Sequence, residues 1–178
     1  MEFIKTADRS EMVRFAASAV LAFAVLTASS HIALPIGPVP MTMQTLAVTL
    51  VGVWLGAKAG ALVVALWVAA GFSGLPIFAM GNGGLAALMG PTAGFLYSFP
   101  LVAAVAAWLA GRGGVIRVFA AMLAANLLCL VIGTAWLALS MDPMRAIAVG
   151  ATPFVPGAFL KSCLGALLVK AARMHSEK

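Results

Sequence analysis

The chain has 178 residues, of which 63% are hydrophobic and 9% charged, with a formal net charge of +6. Soluble domains carry about 25% charged residues; here residues 15–57 and 59–111 contain no Asp, Glu, Lys or Arg, which excludes a globule with a wetted surface. The basic residues are scattered among short connections and ends, a pattern that excludes a nucleic-acid footprint and fits anchoring at one face of a lipid bilayer.

A bilayer core of about 30 Å takes about 20 helical residues. The chain divides into six apolar spans, at about 15–34, 42–57, 60–75, 91–110, 116–139 and 153–172. The expected fold is all-α and polytopic, a single integral membrane domain over residues 1–178. The first span follows Lys5, Arg9 and Arg14 and is rich in small residues: Ala16, Ala17, Ser18, Ala19, Ala22, Ala24, Ala28, Ser29 and Ser30. Such a smooth face suits close contact with another helix, inside the protein or on a partner. Thr27-Ala28-Ser29 would suit leader cleavage. Glu2, Asp8 and Glu11 argue against a leader, and losing this span would spoil the charge parity described below.

The first outer loop, Pro35-Ile36-Gly37-Pro38-Val39-Pro40, is stiffened by its three prolines. Gln44 and Thr45 open the second span, which ends in a stripe of Gly52, Gly56 and Gly60 spaced for close helix packing. Lys58 lies in the short turn to the third span. The third loop runs from Leu75 to Pro91, apolar and glycine-rich, with Asn82 between glycines. An uncharged loop of this length at a membrane face either folds back over the bundle, where its glycines let backbone approach a ligand, or lies among lipid headgroups. The fourth span begins with Gly90 and Gly94 at the same close-packing spacing and carries Tyr97. Arg112 and Arg117 flank the next turn, the fifth span carries Asn126, and Asp142 and Arg145 lie in the fifth loop. Cys129 and Cys163 fall within spans and read as packing residues. Trp54, Trp67, Trp108 and Trp136 read as interface anchors. His31 has no companion at metal-ligand spacing, so no metal site is expected.

With six spans both termini share one side. That side holds Lys5, Arg9, Arg14, Lys58, Arg112, Arg117, Lys170, Arg173 and Lys178, whereas the other holds Arg145 alone. The positive-inside rule then puts both termini in the cytoplasm, in a cytoplasmic (inner) membrane.

Lys161 lies well inside the sixth span, about 12 Å along the helix from its outer start. A charge at membrane depth costs about 3 kcal/mol on insertion scales and marks a functional site by default. Three readings are open: a ligand contact, snorkelling to the outer interface, or pairing with Asp142. Gln44 reads as a ligand contact or a helix-end contact, and Asn82 as a ligand contact or a turn residue. Tyr97 and Asn126 read more naturally as interhelical hydrogen-bonding groups. No Walker loop, zinc-protease helix or nucleophile elbow occurs, and no span carries an acidic proton relay. An enzyme and a self-powered pump are therefore not expected. A small binding protein without an energy source must equilibrate its ligand or borrow a motor.

Three segments in order carry a family likeness. Pro38-Val39-Pro40-Met41-Thr42-Met43-Gln44-Thr45-Leu46 resembles the first signature of the BioY family, the biotin-specific S components of energy-coupling factor (ECF) transporters. The segment from Gly83-Gly84-Leu85 to Gly90-Pro91-Thr92-Ala93-Gly94-Phe95 is similar to the family's Gly-Gly-Leu…Gly-Pro-Thr-Gly-Gly-Tyr pattern. Pro153-Phe154-Val155-Pro156-Gly157-Ala158-Phe159-Leu160-Lys161 resembles Pro-Phe-Leu-Pro-Gly-Asp-x-x-Lys. The resemblance implies a six-helix S component that binds biotin from outside, beneath the first and third loops. On it, Lys161 corresponds to the motif lysine and Asn82 to the loop-three asparagine, with Gln44, Tyr97, Gly83 and Gly84 as further substrate-binding candidates. It also implies a transmembrane T component and two ABC-type ATPases as partners, the first of which docks on the alanine-rich face of Ala16, Ala17, Ser18, Ala22, Ala24 and Ala28. The chain departs from the pattern where Ala158 replaces the usual Asp. The acceptor role falls to Asn82 or Gln44, or stays vacant.

The expected function is biotin capture and uptake, with biotin as transported ligand and no cofactor. The alternatives are an S component for another small anionic vitamin, or a structural membrane subunit in which Lys161 pairs with a partner.

Overall fold

The computed structural model describes residues 9–176. The order is α1 (Arg9–His31), β1 (Ala33–Leu34), β2 (Met41–Thr42), α2 (Gln44–Leu55), α3 (Ala57–Phe72), a 3-10 turn (Ala79–Gly81), α4 (Gly84–Met89), α5 (Ala93–Ala110), α6 (Val115–Leu137), α7 (Pro143–Gly150), a second 3-10 turn (Thr152–Phe154) and α8 (Val155–Ser176). Lys5 and Lys178, counted in the charge bias, lie outside the described residues. Four segments, Arg9–His31, Ala93–Ala110, Val115–Leu137 and Pro143–His175, are long and apolar enough to cross a membrane. The apolar helices Gln44–Leu55 and Ala57–Phe72 are shorter.

α5 is the central helix, packed on α2, α3 and α6, and α6 carries α8 on its other side. Val48, Val51, Val64, Trp67, Phe99, Val102, Ala103 and Ala106 form the core between them. Close approach of α2 to α5 depends on Gly52, because a Cβ there would overlap the Ala103 backbone. Gly56 has a different task from the stripe expected of it. At φ +85° it breaks the chain between α2 and α3, a conformation that side chains disfavour. Leu62 and Leu66 on α3 and Leu101, Trp108, Ile116, Val131 and Leu167 on the longer helices are exposed. Such an apolar outer surface is what lipid solvates.

Three connections hold local structure, two of them, the hairpin and α7, not expected from the sequence pattern, and the third, the fold-back of the third loop, one of its two readings. The proline loop is the tip of a two-residue hairpin, Ala33 opposite Thr42 and Leu34 opposite Met41, so the fold is helical with one minimal strand pair. The third loop folds back on the bundle, and Ser30 Oγ donates to the Ile77 carbonyl at 2.6 Å. Within it Met80 takes φ 59°, ψ 26°, the one non-glycine with positive φ among the described residues. The fifth loop contains α7. Asp142 caps it by accepting from the Met144 and Arg145 amides at 2.9 and 3.1 Å, so the carboxylate is engaged there and not with Lys161. Trp67 also departs from expectation. It is fully buried and its Nε1 donates to Thr27 Oγ1 at 3.0 Å, whereas Trp54 and Trp108 are exposed.

Candidate functional site

A cavity of about 480 Å³ opens at the end of the bundle where α1 finishes and α2, α5 and α8 begin. Helical spacing aims one face of each wall helix into it. α8 and the turn before it contribute Phe154, Ala158 and Lys161; α6 contributes Asn126, Cys129 and Leu130; and α5 contributes Phe95, Leu96 and Phe99. Gln44 and Thr45 face it from the start of α2. The hairpin tip from Pro35 to Pro40 and the segment from Phe78 to Asn82 close over the top.

Lys161 supplies the one positive charge on this wall. Its ammonium reaches across from α8 to the hairpin, donating to the Thr42 carbonyl at 2.5 Å and to Thr45 Oγ1 at 3.3 Å. Both partners are neutral, and an ammonium has three hydrogens to give. Among the described residues Glu11 and Asp142 are the acidic ones, and neither lines the cavity. The cation therefore stands beside a largely apolar space with no counter-charge among the described residues of the lining.

Two side-chain amides share the wall. Gln44 is 5% exposed; its Oε1 accepts from the Thr42 hydroxyl at 3.0 Å, and its Nε2 has no partner. Asn126 is 2% exposed; its Nδ2 donates to Ser162 Oγ at 3.0 Å, and its Oδ1 has no partner. Asn126 thus serves the interhelical contact expected of it and also faces the cavity, a second role that residue type alone does not signal. Cys129 Sγ lies 3.3 Å from Ser98 Oγ, whose hydrogen goes to the Phe95 carbonyl at 2.7 Å.

Of the six substrate-binding candidates from the sequence, Lys161, Gln44 and Asn82 line the cavity. Asn82 is exposed at its mouth and its Oδ1 accepts the Gly83 amide at 2.9 Å, so it also shapes its own turn. Tyr97, Gly83 and Gly84 are not part of the lining. Tyr97 lies on the opposite side of α5. Its hydroxyl donates to the Leu88 carbonyl at 2.8 Å, and its ring packs between Phe72 and Trp136 with centroids 5.1 and 5.5 Å away. Gly83 backs onto the Leu75 carbonyl, where a Cβ would collide, and Gly84 opens α4 at φ +63°.

α1 is peripheral: 17% of its apolar window is buried, against 56% for α5. Ala16, Ala17, Ser18, Ala24 and Ala28 are exposed along it. Ala22 is the exception in the expected docking face. It is buried against the bundle, because it falls on the side of the helix that turns toward α2 and α3.

The chain is similar along most of its length to named proteins. It is 38% identical over 166 residues to the "Biotin transporter BioY2" of Lactococcus lactis subsp. cremoris, covering 89% of this chain and 91% of that protein. It is 37% identical over 147 residues to the "Biotin transporter BioY" of Thermotoga maritima, covering 82% and 87%. Its fold superposes on a crystal structure of the S-component for biotin from an ECF-type ABC transporter with a TM-score of 0.87. That match is at 21% identity and covers 95% of each chain. The BioY family model matches residues 4–178, so nearly the whole chain, cavity walls included, belongs to the BioY family.

Proposed function

We propose that this protein captures biotin at the outer face of a bacterial cytoplasmic membrane, as the substrate-binding S component of an ECF transporter. The observation that carries the reading is the cavity: a single ammonium beside largely apolar walls and three side-chain amides, Gln44, Asn82 and Asn126. Biotin offers the complement, with a carboxylate, an apolar thioether ring and tail, and a ureido head. The volume of about 480 Å³ falls within the roughly 300–1,000 Å³ typical of small-molecule sites. Lys161, Gln44 and Asn82 are the ligand contacts in this reading. Tyr97, Gly83 and Gly84 act behind the wall, positioning α4 and the third loop.

In the membrane, α1, α2, α3, α5, α6 and α8 make six passages, with α2 and α3 completed by their flanking turns. The basic turns lie at the end of the bundle away from the cavity, which supports cytoplasmic termini and an outward-opening site. A T component and two ABC-type ATPases supply the energy, and the exposed small-residue face of α1 is the docking surface for the T component.

Mass spectrometry of small molecules released from the purified protein, followed by titration with labelled biotin, tests the reading. Biotin recovered chemically unchanged and saturable binding are expected. If another small anionic vitamin is recovered, or biotin does not compete for the site, the reading is overturned.

A further inference from the structure

The unpaired Oδ1 of Asn126 and the unpaired Nε2 of Gln44 are the two buried polar atoms of the lining that the protein's own contacts leave without a partner, and Asn126 supplies the acceptor. Buried amide oxygens are almost always hydrogen-bonded, since leaving one empty forfeits its hydration with no return. The orientation of this amide is fixed by its neighbours. Ser162 Oγ uses its hydrogen on the Ala158 carbonyl at 2.7 Å, and so can only accept from Asn126. The NH2 side must then face Ser162, and the carbonyl oxygen is left over. Asn126 shares its face of α6 with Cys129 and Leu130, both of which line the cavity with it. The two other amide oxygens on the lining are already engaged: that of Gln44 with the Thr42 hydroxyl, and that of Asn82 with the Gly83 amide.

We infer that Asn126 is a specificity-determining residue, its Oδ1 accepting a hydrogen bond from an N–H group of the bound ligand. On the biotin reading, on which this inference rests, that N–H belongs to the ureido ring. The site then selects ligands that carry an N–H donor at this depth and rejects analogues of the same shape that lack it. Discrimination arises because this acceptor, already out of water in the empty cavity, gains a hydrogen bond from the right ligand and stays unpaired beside the wrong one.

The test compares two ligands, biotin and biotin methylated at both ureido nitrogens, on purified wild-type protein and on Asn126→Leu, Asn126→Ala and Asn126→Asp. Leucine fills the space and alanine opens it, so the recovery of either as folded protein suffices. Asn126→Leu or Asn126→Ala is expected to raise the dissociation constant for biotin by about 10–100-fold, the loss typical of an unpaired buried group. The methylated ligand should bind weakly to wild type and lose nothing more on substitution. Asn126→Asp, which keeps an acceptor, should restore most of the biotin affinity. Equal losses for both ligands would mean a merely structural tie to Ser162, and an unchanged biotin affinity would mean no contact; either overturns the inference. Wild-type protein that fails to bind biotin overturns the biotin reading and this inference together, and is seen before any variant is measured.

Discussion

Lys161 joins two parts of the molecule that must cooperate if a ligand is to be enclosed. Its ammonium holds the hairpin strand through the Thr42 carbonyl and the start of α2 through Thr45, while its remaining capacity faces the cavity. A charge-assisted hydrogen bond contributes about 1.5–3 kcal/mol, equivalent to about 10–100-fold in a dissociation constant. Lys161→Ala is therefore expected to weaken biotin binding by about that factor, read by titration of detergent-purified protein, with the protein still folded and membrane-inserted. Unchanged affinity would remove Lys161 from the site. The two leading candidate residues of the cavity differ in how visible they are in sequence. A lone cation inside an apolar span is so costly that Lys161 announces itself. Asn126 does not, because an asparagine in a span satisfies itself equally well between helices, and here half of it does. Tyr97 illustrates the converse: a polar aromatic near the matched motif, spent on holding α4 to α5 through Leu88.

At the scale of elements, α1 presents two faces with different demands. Ala22 and Leu26 are buried against the bundle, while Ala17, Ala24 and Ala28 look outward. Replacing Ala17 and Ala24 together by leucine keeps the helix apolar and adds bulk only outside. Biotin binding is expected to persist, and copurification of a T component to fall sharply. Undiminished copurification would mean that another surface docks. Ala22→Leu should instead strain the bundle, since overpacking a filled core costs about 1–3 kcal/mol. It should lower the thermal stability of the isolated chain. Hydropathy located the long helices closely because lipid imposes both length and composition on them. It passed over α7, although Asp142-Pro143 is a legible start signal, an N-cap followed by proline at the first helical position. It also passed over the hairpin, because two paired residues on each side leave too short an alternation to detect.

The whole molecule is polar along its axis. The cavity, with its proline and glycine-rich covers, lies at one end, and Lys58, Arg112, Arg117 and Lys170 lie toward the other. Arg173 reinforces that second end by donating to the carbonyls of Gly113 and Gly111 at 2.6 and 3.3 Å, tying α8 to the α5–α6 turn. Charge bias sets orientation because basic residues near span ends resist transfer across the membrane. On the proposed orientation, the bias that retains these residues inside turns the cavity outward, so capture from outside rests on topology as much as on the site. An epitope placed after Lys178 should become accessible to antibody only in permeabilised cells. One inserted between Ser140 and Asp142, ahead of α7, should be accessible in intact spheroplasts. If both epitopes are reached from the same side, the chain crosses an even number of times between them, where the arrangement requires the single passage of α8. The six-passage arrangement would then fail, and with it the outward-facing cavity, whatever the purified protein binds.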